Sequence, residues 1–222
     1  MISITDDFPS AYPGASLGLL ALGDVANPPS HPLLEQRKSD LEGELRQEFG
    51  GLDKAGLKEL TAIKTYNTYY RRFDKSYHVL LQLESVAVKG KRIPSVAALV
   101  EAMFMAELKN QLLTAGHDLG RVVKPLTLGI ARGGEVYPGI RGKDEILKAG
   151  DMMISDGVGV ISSVLYGPDA RTRIGPDTSS VLFNVYAPAG IGEKAVAAHL
   201  NDIEDYVRLI SPAARTLISA VY

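Results

Sequence analysis

The residues best suited to metal binding are the histidines, and their spacing argues against a metal site. They stand far apart in the chain, as His31, His78, His117 and His199, and none belongs to an HxH or HExxH pattern. Cysteine is absent, so disulfides, thiolate nucleophiles and cysteine-based zinc sites are excluded. We therefore expect neither a metal ion nor another cofactor.

Carboxylates in the second half of the chain fall at strand ends or turns. They are Glu135, Asp151, Asp156 and Asp169. An aspartate in such a place usually bonds to the backbone of its own turn, and we favour that structural role here. Asp118 differs because it follows His117 where the helical half meets the strand-forming half, and such junctions often border a cleft. A turn role is favoured for Asp118 as well.

Two glycine-containing segments resemble catalytic loops only superficially. Residues 139–144, GIRGKD, lack the spacing of a phosphate-binding loop and the Ser or Thr that follows its lysine. Residues 159–163, GVISS, do not fit the Gly-x-Ser-x-Gly elbow of a serine hydrolase. The chain therefore carries no self-contained catalytic motif. A Ser–His–Asp triad assembled in space stays open, but nothing in the sequence favours it.

Charge restricts the partners that the protein can have. The net charge is −2 and the isoelectric point is near 6.1, which is unlike proteins that coat a phosphate backbone, and we expect no DNA partner. Basic residues form small clusters at Lys89, Lys91 and Arg92, at Arg171 and Arg173, and at Arg71, Arg72 and Lys75. Each cluster is best interpreted as solvated surface, and any RNA contact must be a local patch, for which the first two clusters are the candidates.

Tyrosines surround the third basic cluster. They are Tyr66, Tyr69, Tyr70 and Tyr77. Rings interleaved with cations suit either the stacking of nucleic-acid bases or a core helix whose polar tips reach the surface. We favour the core helix.

The elements that position these residues change in period near Gly116. Before it, an apolar run at 15–22 predicts a buried strand, and helical spacing covers 34–49, 57–70, 76–90 and 95–113. After it come runs rich in β-branched residues between turn signals, at 125–131, 135–138, 151–155, 158–166 and 179–187. A last amphipathic helix is predicted over 193–210.

This order of elements predicts one α+β domain. Helices come first and strands later, without regular βαβ alternation, so residues 125–187 should form a mostly antiparallel sheet or sandwich and residues 33–113 most of the helices. The N-terminus lacks the features of a signal peptide, and no apolar run approaches the ~20 residues of a bilayer span. We expect a cytoplasmic protein with no membrane partner.

Short motifs follow one another in the order found in a known family. They are 66–73 (YNTYYRRF), 88–94 (VKGKRIP), 116–118 (GHD), 131–135 (ARGGE), 150–156 (GDMMISD), 171–174 (RTRI) and 178–183 (TSSVLF). The succession resembles the editing domain of the phenylalanyl-tRNA synthetase β chain and, more closely, free-standing proteins made of that domain alone. The resemblance covers roughly residues 10 to 210.

The resemblance implies a three-layer α+β fold with a β-sandwich, and a tRNA 3′ end or another aminoacylated ligand as the partner. In the synthetase, this domain hydrolyses tyrosine mistakenly attached to the phenylalanine tRNA, with a histidine and a tyrosine-reading glutamate in its pocket. Here the histidine position falls on Ala115, with His117 two residues further on, and the glutamate position falls on Asn184. Segment 161–164 lacks the glycines of the family's loop. The editing activity therefore does not transfer intact.

We expect the substrate-binding residues to surround one cleft between the late strands and the end of the fourth helix. They are His117, Asp118, Glu135, Asp156, Thr178 and Asn184. The leading hypothesis is a free-standing domain that binds an aminoacyl-tRNA end. If it were a hydrolase, water would attack the ester while positioned groups stabilised the oxyanion. The alternatives are a non-catalytic module for an amino-acid-like molecule or a protein partner, and a subunit that works beside a synthetase chain. No aminoacylation centre is expected.

Overall fold

Residues 2–222 are described by a computed structural model, and their strands form two sheets and a separate hairpin. The first sheet has the order β11–β2–β10–β3, with every pair antiparallel. Its strands are β2 (Ser16–Gly23), β3 (Thr114–Asp118), β10 (Ser180–Ala187) and β11 (Arg215–Val221).

The second sheet has the order β1–β4–β7–β8–β9 and is antiparallel except for the parallel pair β1 and β4. Its strands are β1 (Ile2–Ile4), β4 (Leu126–Ile130), β7 (Met152–Ser155), β8 (Val160–Ser163) and β9 (Gly167–Pro168). The hairpin consists of β5 (Val136–Pro138) and β6 (Asp144–Ile146).

The helices lie mostly before Gly116, as the sequence predicts. They are α1 (Phe8–Ala11), α2 (Pro32–Phe49), α3 (Lys54–Glu59), α4 (Thr61–Arg71), α5 (His78–Leu83), α6 (Ala98–Asn110) and α7 (Glu193–Ile210). A π-helical turn, Glu84–Val88, continues α5. Within residues 2–222, no helix has both the length and the apolar content that crossing a bilayer requires.

The fold has three layers, because α7 covers one face of the first sheet and the second sheet covers the other. On one face, α7 packs so closely on β2 that a Cβ at Gly18 would lie 2.5 Å from a methyl group of Val196. On the other face, the hydroxyl groups of Tyr186 on β10 and Ser162 on β8 are hydrogen-bonded at 2.7 Å. The first sheet therefore lies between helices and the second sheet, which confirms the α+β fold predicted from the sequence.

The strongly apolar strands form where the sequence predicts them. β2 and β10 occupy 16–23 and 180–187, close to the predicted 15–22 and 179–187. Their near-continuous apolar runs are explained by burial on both faces, since a strand with one solvated face would alternate. The four tyrosines of 66–77 are buried at 3% exposure or less, so their rings belong to the core.

The prediction was wrong for β3, which is a strand because it pairs with β10 and not because its residues favour one. The sequence predicts a helix to about residue 113 and a junction at 116–118, but α6 stops at Asn110 and residues 114–118 form β3 along the edge of β10. Gln111 allows this exit because its backbone is left-handed, with φ 54°. The sheets also extend beyond 125–187, because β1, β2, β3 and β11 lie outside that segment.

Candidate functional site

The residues that the sequence singled out most sharply lie between the two sheets. His117 on β3 is the cross-strand partner of Leu182, and Asn184 on β10 is the partner of Ala115. Because side chains alternate along a strand, His117 and Asn184 share the face from which Tyr186 reaches Ser162 in the second sheet. Both side chains are fully buried.

The proton on His117 is placed by its neighbours. Nδ1 lies 2.7 Å from the hydroxyl oxygen of Thr172. That hydroxyl gives its own hydrogen to the carboxylate of Asp169, so it accepts the second bond from Nδ1–H. Burial lowers the pKa of His117 to about 4, which keeps the ring neutral near pH 7. Nε2 is therefore an acceptor.

An acceptor at Nε2 determines how the Asn184 amide must be oriented. Nε2 lies 3.1 Å from the amide oxygen of Asn184, and two acceptors cannot form a hydrogen bond. A neutral ring therefore requires the amide rotated by half a turn, so that its nitrogen donates to Nε2. The other end of the amide has no hydrogen-bond partner among residues 2–222.

Asp156 and Arg171 form a rigid polar contact at the edge of this cluster. Burial raises the pKa of Asp156, but hydrogen bonds from Val123 and Val158 and the contact with Arg171 outweigh it, so the net shift is downward. The Arg171 guanidinium lies 2.8 Å from that carboxylate and donates to the carbonyl oxygen of Arg121 at 2.9 Å. Arg171, one of the predicted RNA-contacting residues, is therefore committed to the protein itself.

Asp118 and Thr178 form a second polar pair. The Thr178 hydroxyl donates to Asp118 at 2.9 Å, and the backbone N–H of Gly120 donates to the other carboxylate oxygen at 3.0 Å. Asp118 therefore has the turn-capping role favoured from the sequence. Its side chain leaves β3 on the opposite side from His117, because consecutive strand residues point to opposite faces.

Glu135 is held by its own turn. Its carboxylate accepts backbone hydrogen bonds from Arg132 at 2.6 Å and Gly133 at 2.8 Å. None of its hydrogen bonds within residues 2–222 reaches the other predicted site residues. The structure thus joins His117 to Asn184, Asp118 to Thr178, and Asp156 to Arg171, and leaves Glu135 apart.

The remaining predicted RNA-contacting residues are Lys89, Lys91, Arg92 and Arg173. Lys89 forms an ion pair with Glu84 at 2.9 Å, and Lys91 and Arg92 are exposed beside it. Arg173 is exposed in the loop that follows β9. The contact of these residues with RNA stays a prediction.

The six predicted substrate-binding residues are mostly buried. Two clefts of about 360 and about 320 Å³ lie elsewhere, and neither is lined by any of the six. Five of the six are less than 10% exposed. They form buried networks, and their role as a substrate site stays a prediction.

A second histidine forms an arrangement that resembles a catalytic triad, which the sequence did not indicate. His199 on α7 has Nε2 2.7 Å from the hydroxyl oxygen of Thr114 and Nδ1 3.2 Å from the amide nitrogen of Asn110. Asn110 also donates to Asp202 at 2.8 Å, which fixes its nitrogen towards His199. Nδ1 is then the acceptor and Nε2–H donates to Thr114, so the ring cannot take the threonine's proton. The arrangement is structural.

Comparisons with known proteins show a distant likeness to solved structures. No protein-family model and no curated protein matches the chain. Among solved structures, one that resembles it is an N-terminal fragment of the phenylalanyl-tRNA synthetase β subunit from Pyrococcus horikoshii. The whole chain aligns with 50% of that structure, at 10% sequence identity and a TM-score of 0.48. The chain thus spans about half the length of that fragment, and at this level no activity carries over.

Proposed function

We propose that the protein binds an aminoacylated ligand, such as the aminoacylated 3′ end of a tRNA, without hydrolysing it. One observation carries the proposal. Ala115 and Asn184 are direct cross-strand partners on β3 and β10, and the sequence resemblance places the family's histidine and glutamate at these two positions. Two residues that must act on one ligand are expected to be neighbours in this way, although many residues separate them in the chain.

The absence of hydrolysis follows from the bonds of the nearest imidazole. Ala115 has no group that accepts a proton. His117 uses Nδ1–H on Thr172 and Nε2 on Asn184, and it is fully buried. A general base must come within about 3 Å of the water that it activates, directly or through one more water. His117 has no free lone pair for such a water.

Selectivity should also differ from that of the synthetase domain. A buried site built to bond a hydroxyl group can reject the ligand that lacks it by about 10⁴ to 10⁵. Asn184 is neutral and already leaves one amide atom unpaired. Binding a ligand that lacks the hydroxyl group should therefore cost less free energy than it would with a charged glutamate at this position. We therefore expect comparable affinity for tyrosyl and phenylalanyl ligands.

The experiment measures binding and hydrolysis separately. Tyrosine-charged phenylalanine tRNA is mixed with the unaltered protein, with Asn184→Glu and with the double variant Ala115→His/Asn184→Glu. Asn201→Glu makes the same change at an exposed position of α7 and serves as the control. We expect binding without release of tyrosine by the unaltered protein and the control, and release by the double variant.

Salt dependence tests whether the ligand includes RNA. Each phosphate neutralised on a single strand should contribute about 0.7 to the slope of log K against log salt. Because the net charge is −2, we expect weak binding with a slope that reflects only a few contacts.

Robust tyrosine release by the unaltered protein would refute the absence of hydrolysis. No detectable binding of charged tRNA would refute the proposal as a whole.

A further inference from the structure

A cleft of about 360 Å³ lies on the side of the protein where α4 meets the segments that flank the first sheet. We call it the Tyr12 cleft. It is formed by the turn between α1 and β2, by one side of α4 and by the segment that follows β10. The side chains used in the argument below are Tyr12, Pro13, Tyr69, Arg72, Pro188 and Ala189.

The aromatic wall of the Tyr12 cleft is rigid and apolar. The Tyr12 hydroxyl donates to the carbonyl oxygen of Gly150, and the Tyr69 hydroxyl donates to Asp151 at 2.7 Å and accepts from the N–H of Met152 at 2.7 Å. Both hydroxyls are thus satisfied inside the protein. The two ring centroids are 5.9 Å apart, and the rings are 7% and 3% exposed. The parts of Tyr12 and Tyr69 that line the cleft are therefore carbon atoms of their rings.

One cation at this wall has no acidic partner. The guanidinium carbon of Arg72 lies 5.1 Å from the ring centroid of Tyr12 and 5.9 Å from that of Tyr69. Among the ion pairs of residues 2–222, none includes Arg72, and its side chain is exposed. The other cation of the cleft, Lys64, is bonded to Glu59 at 2.8 Å. The Tyr12 cleft therefore offers one positive charge that no acidic side chain neutralises, beside an aromatic surface.

We propose that the Tyr12 cleft binds a small monocarboxylate with a flat apolar body. A guanidinium group binds a carboxylate through two parallel hydrogen bonds, and Arg72 is held at its place by stacking on the rings. The apolar body of the ligand packs between the tyrosine wall and Pro188. The volume of about 360 Å³ lies within the range of small-molecule sites.

The same geometry determines which ligands the cleft excludes. No carboxylate side chain lines it, so the ammonium group of a free amino acid finds no partner there. Asp151 lies behind Tyr69 and is fully buried. A phosphate group has no flat apolar body to pack against the tyrosine wall and Pro188, so it should bind more weakly than the monocarboxylate. The proposal is independent of the aminoacyl-ligand function, because the cleft contains none of the residues of the network between the sheets.

The test is an NMR titration of the full ¹⁵N-labelled chain with benzoate, followed through the backbone signals of Arg72 and Ala189 and the side-chain Nε–H of Arg72. Benzamide, with the same shape and no charge, and inorganic phosphate are titrated in parallel. We expect saturable shifts with benzoate, at a Kd on the order of 1 mM, and none with the other two. Arg72→Gln should weaken binding by at least about tenfold, whereas Arg71→Gln, an exposed neighbour outside the cleft, should change it less than about twofold.

Arg72→Lys keeps the proposal testable if Arg72→Gln does not fold. It retains the charge and loses the paired hydrogen bonds, so we expect binding between that of the unaltered protein and that of Arg72→Gln. The proposal is overturned if benzoate produces no saturable shifts, if both Arg72 variants bind it as the unaltered protein does, or if benzamide or phosphate binds equally well. None of these results bears on the binding or hydrolysis of charged tRNA.

Discussion

Glu107 on α6 carries a carboxyl group that folding holds in its neutral form. The side chain is 4% exposed and accepts one hydrogen bond, from the backbone N–H of Thr114 at 2.8 Å. Burial raises the pKa of Glu107 to about 8, and that hydrogen bond opposes the effect only in part. Ionising the group therefore destabilises the folded state relative to the unfolded chain.

Replacing Glu107 by glutamine removes this ionisation and keeps an oxygen that accepts from Thr114. The pKa difference between about 8 and the ordinary 4.5, at about 1.36 kcal/mol per pH unit, corresponds to about 5 kcal/mol. A raised carboxyl pKa stabilises the folded state fully below pH 4.5, and the contribution is lost as pH rises through about 8. Glu107→Gln should therefore match the unaltered protein below pH 4.5, exceed it increasingly up to about pH 8, and keep that advantage at pH 9.

Urea unfolding at pH 5, 7 and 9 measures this difference. The variant must be compared with the unaltered protein at the same pH. Burial lowers the pKa values of His117 and His199 to about 4, so acid destabilises the fold of both proteins. Glu48→Gln makes the same change on the exposed side of α2 and is the control. A difference in unfolding free energy that stays constant from pH 5 to pH 9 would refute the reasoning.

Two other changes have expected costs that stability measurements can check. Lys38→Met leaves the Glu101 carboxylate buried without its ammonium partner at 2.7 Å, and should lower the free energy of unfolding by about 3–5 kcal/mol. The double variant Lys38→Met/Glu101→Leu should recover most of that loss in the same urea titrations, and no recovery would contradict the explanation. Gly18→Ala places a Cβ 2.5 Å from Val196 and should cost about 1–3 kcal/mol, seen as a lower Tm. Gly43→Ala meets no atom within 4 Å on α2 and should instead stabilise by about 0.5–1 kcal/mol.

Local sequence predicts an element well where the residue types favour that element on their own. β10 and α7 were predicted within a residue of their bounds, because one is a run of Val, Leu, Phe and Tyr and the other has apolar residues at helical spacing. β3 has the sequence TAGHD, which has little preference for a strand. It is a strand because the edge of β10 offers it hydrogen bonds, and a window of sequence around Gly116 does not contain that edge.

The candidate site shows the same division between local and tertiary information. The sequence identified Asp118 as a turn residue, and the structure agrees, because the hydrogen bond to Gly120 is local. The pairing of Ala115 with Asn184 depends on the register of two strands that are distant in the chain. The Tyr12 cleft likewise brings together three segments that are distant in the chain. Of its lining, the sequence pointed only to Arg72 and Tyr69.

His117 and Asp118 are adjacent in the chain, but strand geometry separates their side chains. Consecutive residues of β3 point to opposite faces, so His117 contacts Thr172 while Asp118 contacts Thr178. Asp169, acting through the hydroxyl of Thr172, is the carboxylate that determines the state of His117. It keeps the proton on Nδ1 and leaves Nε2 to Asn184, inside the core. Proton transfer by His117 to or from a ligand would therefore require the two sheets to separate.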